Sequence, residues 1–218
     1  MIAVVDYGAG NLASVVNALE RIGAPVTVTQ EPETIRRASG VIVPGVGAAA
    51  DTMKHLANLN LADVVRGVIE SGTPYLGICM GLQVLLTKSF EGGEHRCLDI
   101  IPGSVRRFPD GLPIPHMGWN QVEHPADHPL FRGIPSGANF YFVHSYFIDP
   151  DDAEWAGSFT EYGTRFVSAV CRGNVMGTQF HPEKSGATGL KLLENFVAIV
   201  SEQSGTRTVG ADARNTGD

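Results

Sequence analysis

The sequence predicts an α/β protein, with a mostly parallel central sheet flanked by helices and an added β-rich segment in the second half. Up to about residue 90, short apolar runs typical of buried strands alternate with segments whose apolar residues recur at helical spacing. Beyond that point, short β-like runs are separated by proline and glycine. The chain has 218 residues, of which 43% are apolar, so one domain over residues 1–200 is expected.

The first half is predicted to contain four strands and three helices. Its strands are short apolar runs, and Gly23 and Gly72 end two of its helices. The predicted strands are residues 2–5, 26–29, 41–43 and 74–78, and the predicted helices are residues 12–22, 61–69 and 82–86.

The second half is predicted to consist mainly of strands and turns, followed by one helix. The predicted strands are residues 104–108, 139–147, 155–159, 166–171 and 175–180. Residues 187–200 have an apolar stripe typical of a helix that packs on the core. Residues 201–218 have almost nothing apolar to dock them and are expected to form a disordered tail.

Several candidate functional residues follow strand ends. Ligands of open parallel sheets bind beyond the carboxyl ends of the strands. Cys79 and the loops at residues 8–10 and 44–47 come directly after such ends, and His181 follows the run that ends at Phe180. All of them can therefore reach the same rim of the sheet.

Cys79 lies in the segment Gly-Ile-Cys-Met-Gly, residues 77–81, where an apolar strand runs into a helix. This is the pattern of a nucleophile elbow, in which small neighbours let the backbone turn sharply and expose the reactive side chain. Taken alone, a cysteine after a buried strand is more often inert core packing. A reactive thiolate would be favoured by the following helix N-terminus and by a nearby imidazole.

His181 and Glu183 can supply the remaining roles of a nucleophilic triad. His181 could take the thiol proton and return it to a leaving amine, and Glu183 could hold the ring in one tautomer. By itself this segment is more often a solvated turn leading into a helix. The backbone N–H groups of Met80 and Val46 are candidate oxyanion donors, although an ordinary strand-to-helix turn is the alternative.

Composition excludes several classes of function. The net charge of −7, without a lysine or arginine cluster, argues against nucleic acid as a partner. No apolar run reaches the roughly 20 residues of a membrane span. Three separated cysteines suit a reducing compartment, so a cytoplasmic chain is expected. His55, His95, His124 and His128 have no companion ligands at metal spacing, so no metal or cofactor is expected, and His144 is expected to be structural.

Two segments together resemble a known family. Residues 77–83 (Gly-Ile-Cys-Met-Gly-Leu-Gln) and 179–183 (Gln-Phe-His-Pro-Glu) resemble the signature motifs of the class I, or triad, glutamine amidotransferases. Residues 44–47, 116–120 and 141–146, with Lys184 and Ser185, resemble the branch that serves histidine biosynthesis. The resemblance spans residues 2–200.

This resemblance implies that Cys79 attacks glutamine to form a γ-glutamyl thioester, with His181 as acid and base and Glu183 orienting it. This chain would form a heterodimer with a partner (β/α)8-barrel cyclase, and the ammonia would pass to the cyclase through a channel. The cyclase would use it to make imidazole glycerol phosphate and an aminoimidazole carboxamide ribotide. The implied glutamine contacts, with Tyr141 beside them, are Gly45, Gln83, Glu91, Ser145 and Tyr146.

Some implied roles have alternatives. Glu91 suits the ammonium of an α-amino acid and Gln83 its carboxylate, whereas Tyr141 could equally pack in the core. Trp119 and Asn120, in a Gly-Trp-Asn turn, would contact the cyclase with Lys184 nearby, although Trp119 could instead cap the core. Residues 97–99 are Cys-Leu-Asp where the family often has Gly-Leu-Gly, which leaves the Glu91 contact open.

Three other functions compete with this one. The first is a triad glutaminase of anthranilate, carbamoyl phosphate or guanylate synthesis, against which residues 116–120 argue. The second is a stand-alone cysteine hydrolase or stress protein, which residues 181–183 disfavour. The third is a non-catalytic regulatory subunit, which the intact Cys79, His181 and Glu183 disfavour.

Overall fold

The structure is a computed structural model that describes residues 1–8, 10–125 and 128–212. The strands of these residues are β1 Ile2–Val5, β2 Val26–Thr29, β3 Gly40–Val43, β4 Tyr75–Ile78, β5 Leu86–Ser89, β6 His95–Arg96, β7 Ile101–Arg107, β8 His116–Val122, β9 Ala138–His144, β10 Tyr146–Pro150, β11 Ala156–Glu161, β12 Arg165–Arg172 and β13 Val175–Thr178. The α-helices are α1 Leu12–Arg21, α2 Pro32–Arg36, α3 Ala49–Asn58, α4 Ala62–Glu70, α5 Met80–Gln83 and α6 Gly186–Asp212. Three short 3-10 turns cover Pro129–Phe131, Ala153–Trp155 and Pro182–Lys184.

Eleven strands of the described residues form one mixed sheet, in the order β2-β1-β3-β4-β13-β12-β10-β7-β5-β6, with β11 pairing on β12. The strands from β2 to β13 in this order are parallel to one another. The pairs β12–β13, β10–β12, β7–β10 and β11–β12 are antiparallel. The predicted fold class and its β-rich second half are therefore confirmed.

The core lies on both faces of the sheet. Along β1, Ala3 and Val5 pack into one apolar cluster, and Ile2 and Val4 pack into the other, since alternate side chains of a strand point to opposite faces. All four are buried, which explains why this run is continuously apolar rather than alternating. The apolar side of α4 covers one face with Val64, Val65 and Val68.

The strand order places the candidate loops side by side. Strand β4 lies between β3 and β13 in the parallel part of the sheet. Cys79 follows β4, residues 44–47 follow β3, and His181 follows β13 after two residues. The expected meeting of these segments at the carboxyl edge is thus a consequence of topology.

Several predicted elements need correction. The helix expected over residues 82–86 is only α5, because Leu86 already pairs with Ile101 in the sheet. The run at residues 139–147 is divided into β9 and β10, which belong to different sheets. The Gly-Trp-Asn segment is not a turn, since it lies inside β8 and Trp119 pairs with Tyr141 of β9. Helices α2 and α3 were not predicted.

The last helix is longer than expected. It extends to Asp212, well past the predicted end at Val200. The hydroxyls of Ser201 and Ser204 donate to the carbonyls of Val197 and Val200 one turn earlier, so these serines continue the helix rather than ending it. The helix thus includes residues 201–212 of the segment for which a disordered tail was expected, residues 213–218 lie outside the described residues, and the disorder of the tail stays a prediction. A domain boundary at residue 200 stays a prediction.

Candidate active site

Cys79 sits at the tip of a sharp turn between β4 and α5. Its φ of 53° and ψ of −101° are unusual for a residue with a side chain. The turn is closed by two glycines: a Cβ on Gly77 would lie 2.4 Å from the Gly81 carbonyl oxygen, and one on Gly81 would lie 1.8 Å from that of Val43. Neither position has room for a side chain. This is the strained geometry expected of a nucleophile elbow.

His181 and Glu183 lie behind the thiol and form a buried pair. The His181 ring is fully buried, and its Nδ1 is 2.7 Å from Oε1 of Glu183. Because a carboxylate can only accept, Nδ1 carries the hydrogen, which leaves Nε2 as the basic atom. Asn11 donates through Nδ2 to the same Glu183 oxygen. Glu183 is thereby held in the orientation that fixes the histidine tautomer.

The backbone around His181 is hydrogen-bonded to strand β9, which forms a two-stranded β8–β9 ribbon with β8. The His181 N–H donates to the Tyr141 carbonyl at 2.9 Å. The Ser185 hydroxyl donates to the His181 carbonyl at 2.6 Å and accepts from the Tyr141 N–H at 2.9 Å. Strand β9 therefore holds the histidine in place.

The electrostatics of the site favour a charged imidazole. Burial opposes the imidazolium, but the neighbouring Cys79 sulfur and Glu183 carboxylate outweigh it and raise the pKa of His181 to about 9. His181 Nε2 is buried and makes no hydrogen bond of good geometry within the described residues. Nε2 is thus left available for a proton from the neighbouring sulfur.

The expected oxyanion donors are only partly available. The Met80 N–H donates to the Gly45 carbonyl oxygen at 3.3 Å, so this donor is occupied in the structure. The physical reason is the close packing of the two loops, because a Cβ on Gly45 would lie 2.0 Å from the Tyr7 hydroxyl and 2.9 Å from the Met80 Cβ. Val46 lies in the same loop and lines the cleft in front of Cys79.

A small cleft of about 200 Å³ opens onto the Cys79 side chain. This volume suits a ligand of amino-acid size better than a large substrate. All the predicted glutamine contacts except Gly45 and Tyr141 line it. The lining residues include Val46, Gly47, Cys79, Met80, Gln83, Glu91, Val143, Ser145 and Tyr146. Tyr141 instead faces the Trp119 ring, with ring centroids 6.1 Å apart in a T-shaped arrangement.

Gln83 and Glu91 are already engaged by the protein. Gln83 Nε2 donates to the Tyr146 carbonyl at 2.9 Å and to Gln179 Oε1 at 3.0 Å, which leaves only the Gln83 oxygen for a ligand. Gln83 is therefore unsuited to the ligand carboxylate that the sequence assigned to it. Glu91 Oε2 accepts from the Ala49 N–H at 2.9 Å and caps α3. The Cys-Leu-Asp segment does not remove Glu91 from the cleft.

Two polar residues at this site were missed as functional candidates. Gln179 was noted only as part of a motif, yet it is fully buried and its Nε2 donates to Cys79 Sγ at 3.6 Å. Asn11 gave no signal except its place after a strand end, and its contact with Glu183 spans 172 positions of the chain. Contacts at such separation have no signature in local sequence.

The three predicted interface residues differ in orientation. Trp119 is 59% exposed and Met117, two positions earlier on β8, is 66% exposed. Lys184 is also exposed. The Asn120 side chain, in contrast, is turned inward, since its Nδ2 donates to the Glu161 carbonyl at 2.9 Å and lies 3.2 Å from His116 Nε2. Asn120 thus forms hydrogen bonds within the protein instead of facing a partner.

Within the described ranges, no group of His, Cys, Asp or Glu residues could hold a metal ion. In the same ranges, no helix is long and apolar enough to cross a membrane.

The fold and the elbow site define a class of protein. Residues 3–200 match the family model of the class I glutamine amidotransferases, so the chain belongs to this family of enzymes. Its relatives include proteins named imidazole glycerol phosphate synthase subunit HisH. Those of Moorella thermoacetica and Chloroflexus aurantiacus are 54% and 55% identical, covering 91% and 90% of this chain and 95% of each relative. That of Methanosarcina acetivorans is 52% identical over 91% of this chain and 98% of the relative.

Solved structures agree with the fold at much lower identity. A crystal structure of a glutamine amidotransferase superposes with a TM-score of 0.73 at 20% identity, covering 92% of this chain and 100% of that one. A putative GMP synthase subunit of Thermoplasma acidophilum gives a TM-score of 0.69 at 21% identity, covering 95% and 96%. At these identities the likeness concerns the fold alone.

Proposed function

We propose that this chain is the glutaminase subunit of an imidazole glycerol phosphate synthase and hydrolyses glutamine to glutamate and ammonia at Cys79. The observation that carries this proposal is the buried His181–Glu183 pair directly behind the elbow cysteine, at the edge of a cleft of amino-acid size. The family match and the names of relatives above 50% identity support the choice of reaction and pathway.

In the first half-reaction, His181 Nε2 takes the thiol proton and Cys79 Sγ attacks the side-chain amide carbon of glutamine. The C–S bond forms, His181 returns the proton to the amide nitrogen, and the C–N bond breaks to release ammonia. In the second, His181 takes a proton from water, the water oxygen attacks the thioester carbon, and the C–S bond breaks as His181 returns the proton to the Cys79 sulfur, which releases glutamate. Glu183 keeps Nδ1 protonated throughout and stabilises the imidazolium.

The cleft offers groups for an α-amino acid. The free oxygen of Gln83 and the second oxygen of Glu91 can accept from the α-ammonium, because neither group has a donor to spare. The hydroxyls of Ser145 and Tyr146 are the remaining side-chain donors of the cleft for the α-carboxylate. In this assignment Gln83 binds the α-ammonium of the ligand, whereas the sequence assigned it to the α-carboxylate.

The oxyanion site requires a change in the loop at residues 44–47. A tetrahedral oxyanion needs N–H donors, whereas the Gly45 carbonyl oxygen now occupies the Met80 N–H. We therefore infer that the loop turns before turnover, releasing Met80 and presenting the Val46 N–H. A partner that favours the turned loop would activate the enzyme.

The partner is proposed to be a (β/α)8-barrel cyclase that receives the ammonia, and both would work in the cytoplasm, which three unpaired cysteines favour. Exposed Trp119 and Met117 lie on the face of the β8–β9 ribbon that continues into the cleft, since Met117 pairs with Val143, which lines it. Lys184 is exposed beside the triad. An apolar surface with an adjacent cation suits a subunit interface.

The test is a Cys79→Ala variant assayed in complex with the cyclase. We expect glutamine-dependent synthesis to be lost and synthesis from added ammonium salt to be retained. A matched Cys97→Ala variant should keep both activities, because Cys97 is buried away from the cleft. Equal loss of both activities in Cys79→Ala would overturn the assignment of Cys79 as nucleophile.

A further inference from the structure

A chain of hydrogen bonds, buried at its glutamine end, runs from strand β8 to the nucleophilic sulfur. It starts at Asn120, whose backbone neighbour Trp119 is exposed, and passes through two histidines, a backbone carbonyl and two glutamines. Its members, in order, are Asn120, His116, His144, the Tyr146 carbonyl, Gln83, Gln179 and Cys79 Sγ.

The direction of each bond in the first half of the chain is fixed by the Tyr146 carbonyl. His144 Nδ1 lies 2.8 Å from this oxygen, which can only accept, so Nδ1 carries the hydrogen. His144 is neutral, because burial lowers its pKa to about 3, and its Nε2 therefore accepts from His116 Nδ1 at 2.9 Å. Burial also lowers the pKa of His116 to about 4, so its Nε2 accepts from Asn120 Nδ2 at 3.2 Å.

The same carbonyl fixes the orientation of the two glutamine side-chain amides. An oxygen of Gln83 facing the Tyr146 oxygen would be repelled, so the Gln83 NH₂ group faces it at 2.9 Å. The second hydrogen of that group is donated to Gln179 Oε1 at 3.0 Å. Gln179 must then turn its own NH₂ group toward the Cys79 sulfur, 3.6 Å away. The orientation of Gln179 is thus determined by its neighbours and not by a choice between two equivalent amide positions.

We propose that Gln179 is a positioning residue that presents an N–H donor to the Cys79 thiolate, and that the chain through Gln83, the Tyr146 carbonyl, His144 and His116 fixes the direction of this donor. Gln179 and Gln83 are 0% and 2% exposed, so water does not compete for their hydrogen bonds. A donor aimed at sulfur favours the thiolate over the thiol and holds Sγ facing the cleft.

This inference rests on the proposed function only for the identity of the substrate, since a positioned thiolate can be measured without glutamine. The experiment follows the rate of Cys79 alkylation by iodoacetamide against pH, with each cysteine quantified by peptide mass spectrometry. It compares the full chain with Gln179→Met, which removes the donor at similar size, and with Gln179→Glu, which puts an acceptor in its place. Gln83→Met removes the group that orients Gln179.

We expect the pH midpoint of Cys79 alkylation to rise by about one unit in Gln179→Met, by more in Gln179→Glu, and by less in Gln83→Met. A Thr178→Val control, which removes a buried hydroxyl donating to the Phe180 carbonyl, should leave the midpoint unchanged. Protection of buried Cys97 from alkylation reports that each variant is folded, and one folded variant at position 179 is enough for the test. An unchanged midpoint in a folded position-179 variant would overturn the inference.

The outcomes also separate this inference from the proposed function. If the unsubstituted chain hydrolyses glutamine in complex with the cyclase while the variants at position 179 keep its alkylation midpoint, only the role of Gln179 fails. If the chain fails to hydrolyse glutamine but the midpoints shift, the thiolate is positioned for another reaction.

Discussion

His181 can act as a base only if the proton stays on the correct ring nitrogen. Glu183 accepts from Nδ1, and Asn11 donates to the same carboxylate oxygen, so the carboxylate cannot rotate away without losing two partners. The sequence predicted the roles of Cys79, His181 and Glu183 because each residue type has a distinctive chemistry and a recognisable neighbourhood. Asn11 and Gln179 were missed because amides have no such signature.

A first prediction concerns this carboxylate. Glu183→Gln should lower kcat for glutamine by roughly 10²-fold or more, because an amide can donate to Nδ1 and so stabilise the wrong tautomer. Steady-state kinetics of the complex would measure the change. Glu194→Gln, which removes an exposed carboxylate from α6, is the matched control and should keep kcat. Wild-type kcat in Glu183→Gln would rule out the orienting role.

At the scale of elements, the site is made by loops that follow four neighbouring parallel strands. The alternation of strand and helix was sufficient to predict this edge of the sheet. The division of residues 139–147 into β9 and β10 was not predictable, because aromatic residues continue across Ser145 and only the pairing partners differ. The engagement of Met80 by Gly45 depends on packing between loops, which local sequence does not encode.

The elbow gives a stability prediction. Gly81→Ala should destabilise the fold by several kcal/mol, because the added Cβ would lie 1.8 Å from the Val43 carbonyl oxygen, part of the backbone of a buried strand. Gly67→Ala is the matched control: Gly67 lies in α4 with nothing within 4 Å of an added Cβ, and the change should stabilise the helix by roughly 0.5–1 kcal/mol. Urea unfolding of the two variants would measure both effects. Equal stabilities would contradict the close approach at the elbow.

The β8–β9 ribbon gives a pH prediction. Burial lowers the pKa of His116 to about 4 and that of His144 to about 3, below the ordinary value of 6.5. Between these values each of the two histidines binds a proton in the unfolded chain but not in the folded chain, so their contribution to stability is greatest above pH 6.5 and falls as the pH drops toward 4. Each histidine should contribute roughly 1 kcal/mol per pH unit between pH 6 and 5.

Urea unfolding at pH 7.5, 6 and 5 would measure this dependence. In a His116→Gln variant the slope of the unfolding free energy against pH should be smaller by roughly 1 kcal/mol per unit, whatever its absolute stability. The same slope in the variant and the unsubstituted chain would show that His116 titrates normally in the folded protein.

At the scale of the whole molecule, the occupied Met80 N–H and the exposed Trp119 are both consistent with a site that a partner activates. The first describes a site that lacks an oxyanion donor, and the second a surface suited to a partner. The sequence left open whether Trp119 is exposed at an interface or caps the core, and it placed this residue in a turn. It lies on a strand of the same ribbon that fastens His181 through Tyr141 and Ser185.

We therefore expect the isolated chain to hydrolyse glutamine slowly and to be activated by the cyclase with its nucleotide ligand bound. Trp119→Ala should weaken cyclase binding by roughly 30-fold or more, as for other interface hot spots. Val28→Ala is the control, since Val28 is 42% exposed on β2 at the far edge of the sheet and should bind normally. Calorimetric titration would give both affinities. Full turnover by the isolated chain would contradict the role assigned to the loop at residues 44–47.

The central claim is that Cys79 is the nucleophile that attacks glutamine, and covalent labelling tests this claim most directly. The complex would be treated with an electrophilic glutamine analogue, and the modified residue located by peptide mass spectrometry. Burial raises the pKa of Cys97 to about 11 and that of Cys171 further still, so both remain unreactive thiols. The predicted result is a single adduct on Cys79 that glutamine protects against, whereas an adduct on Cys97 or Cys171, with Cys79 unmodified, would contradict the account.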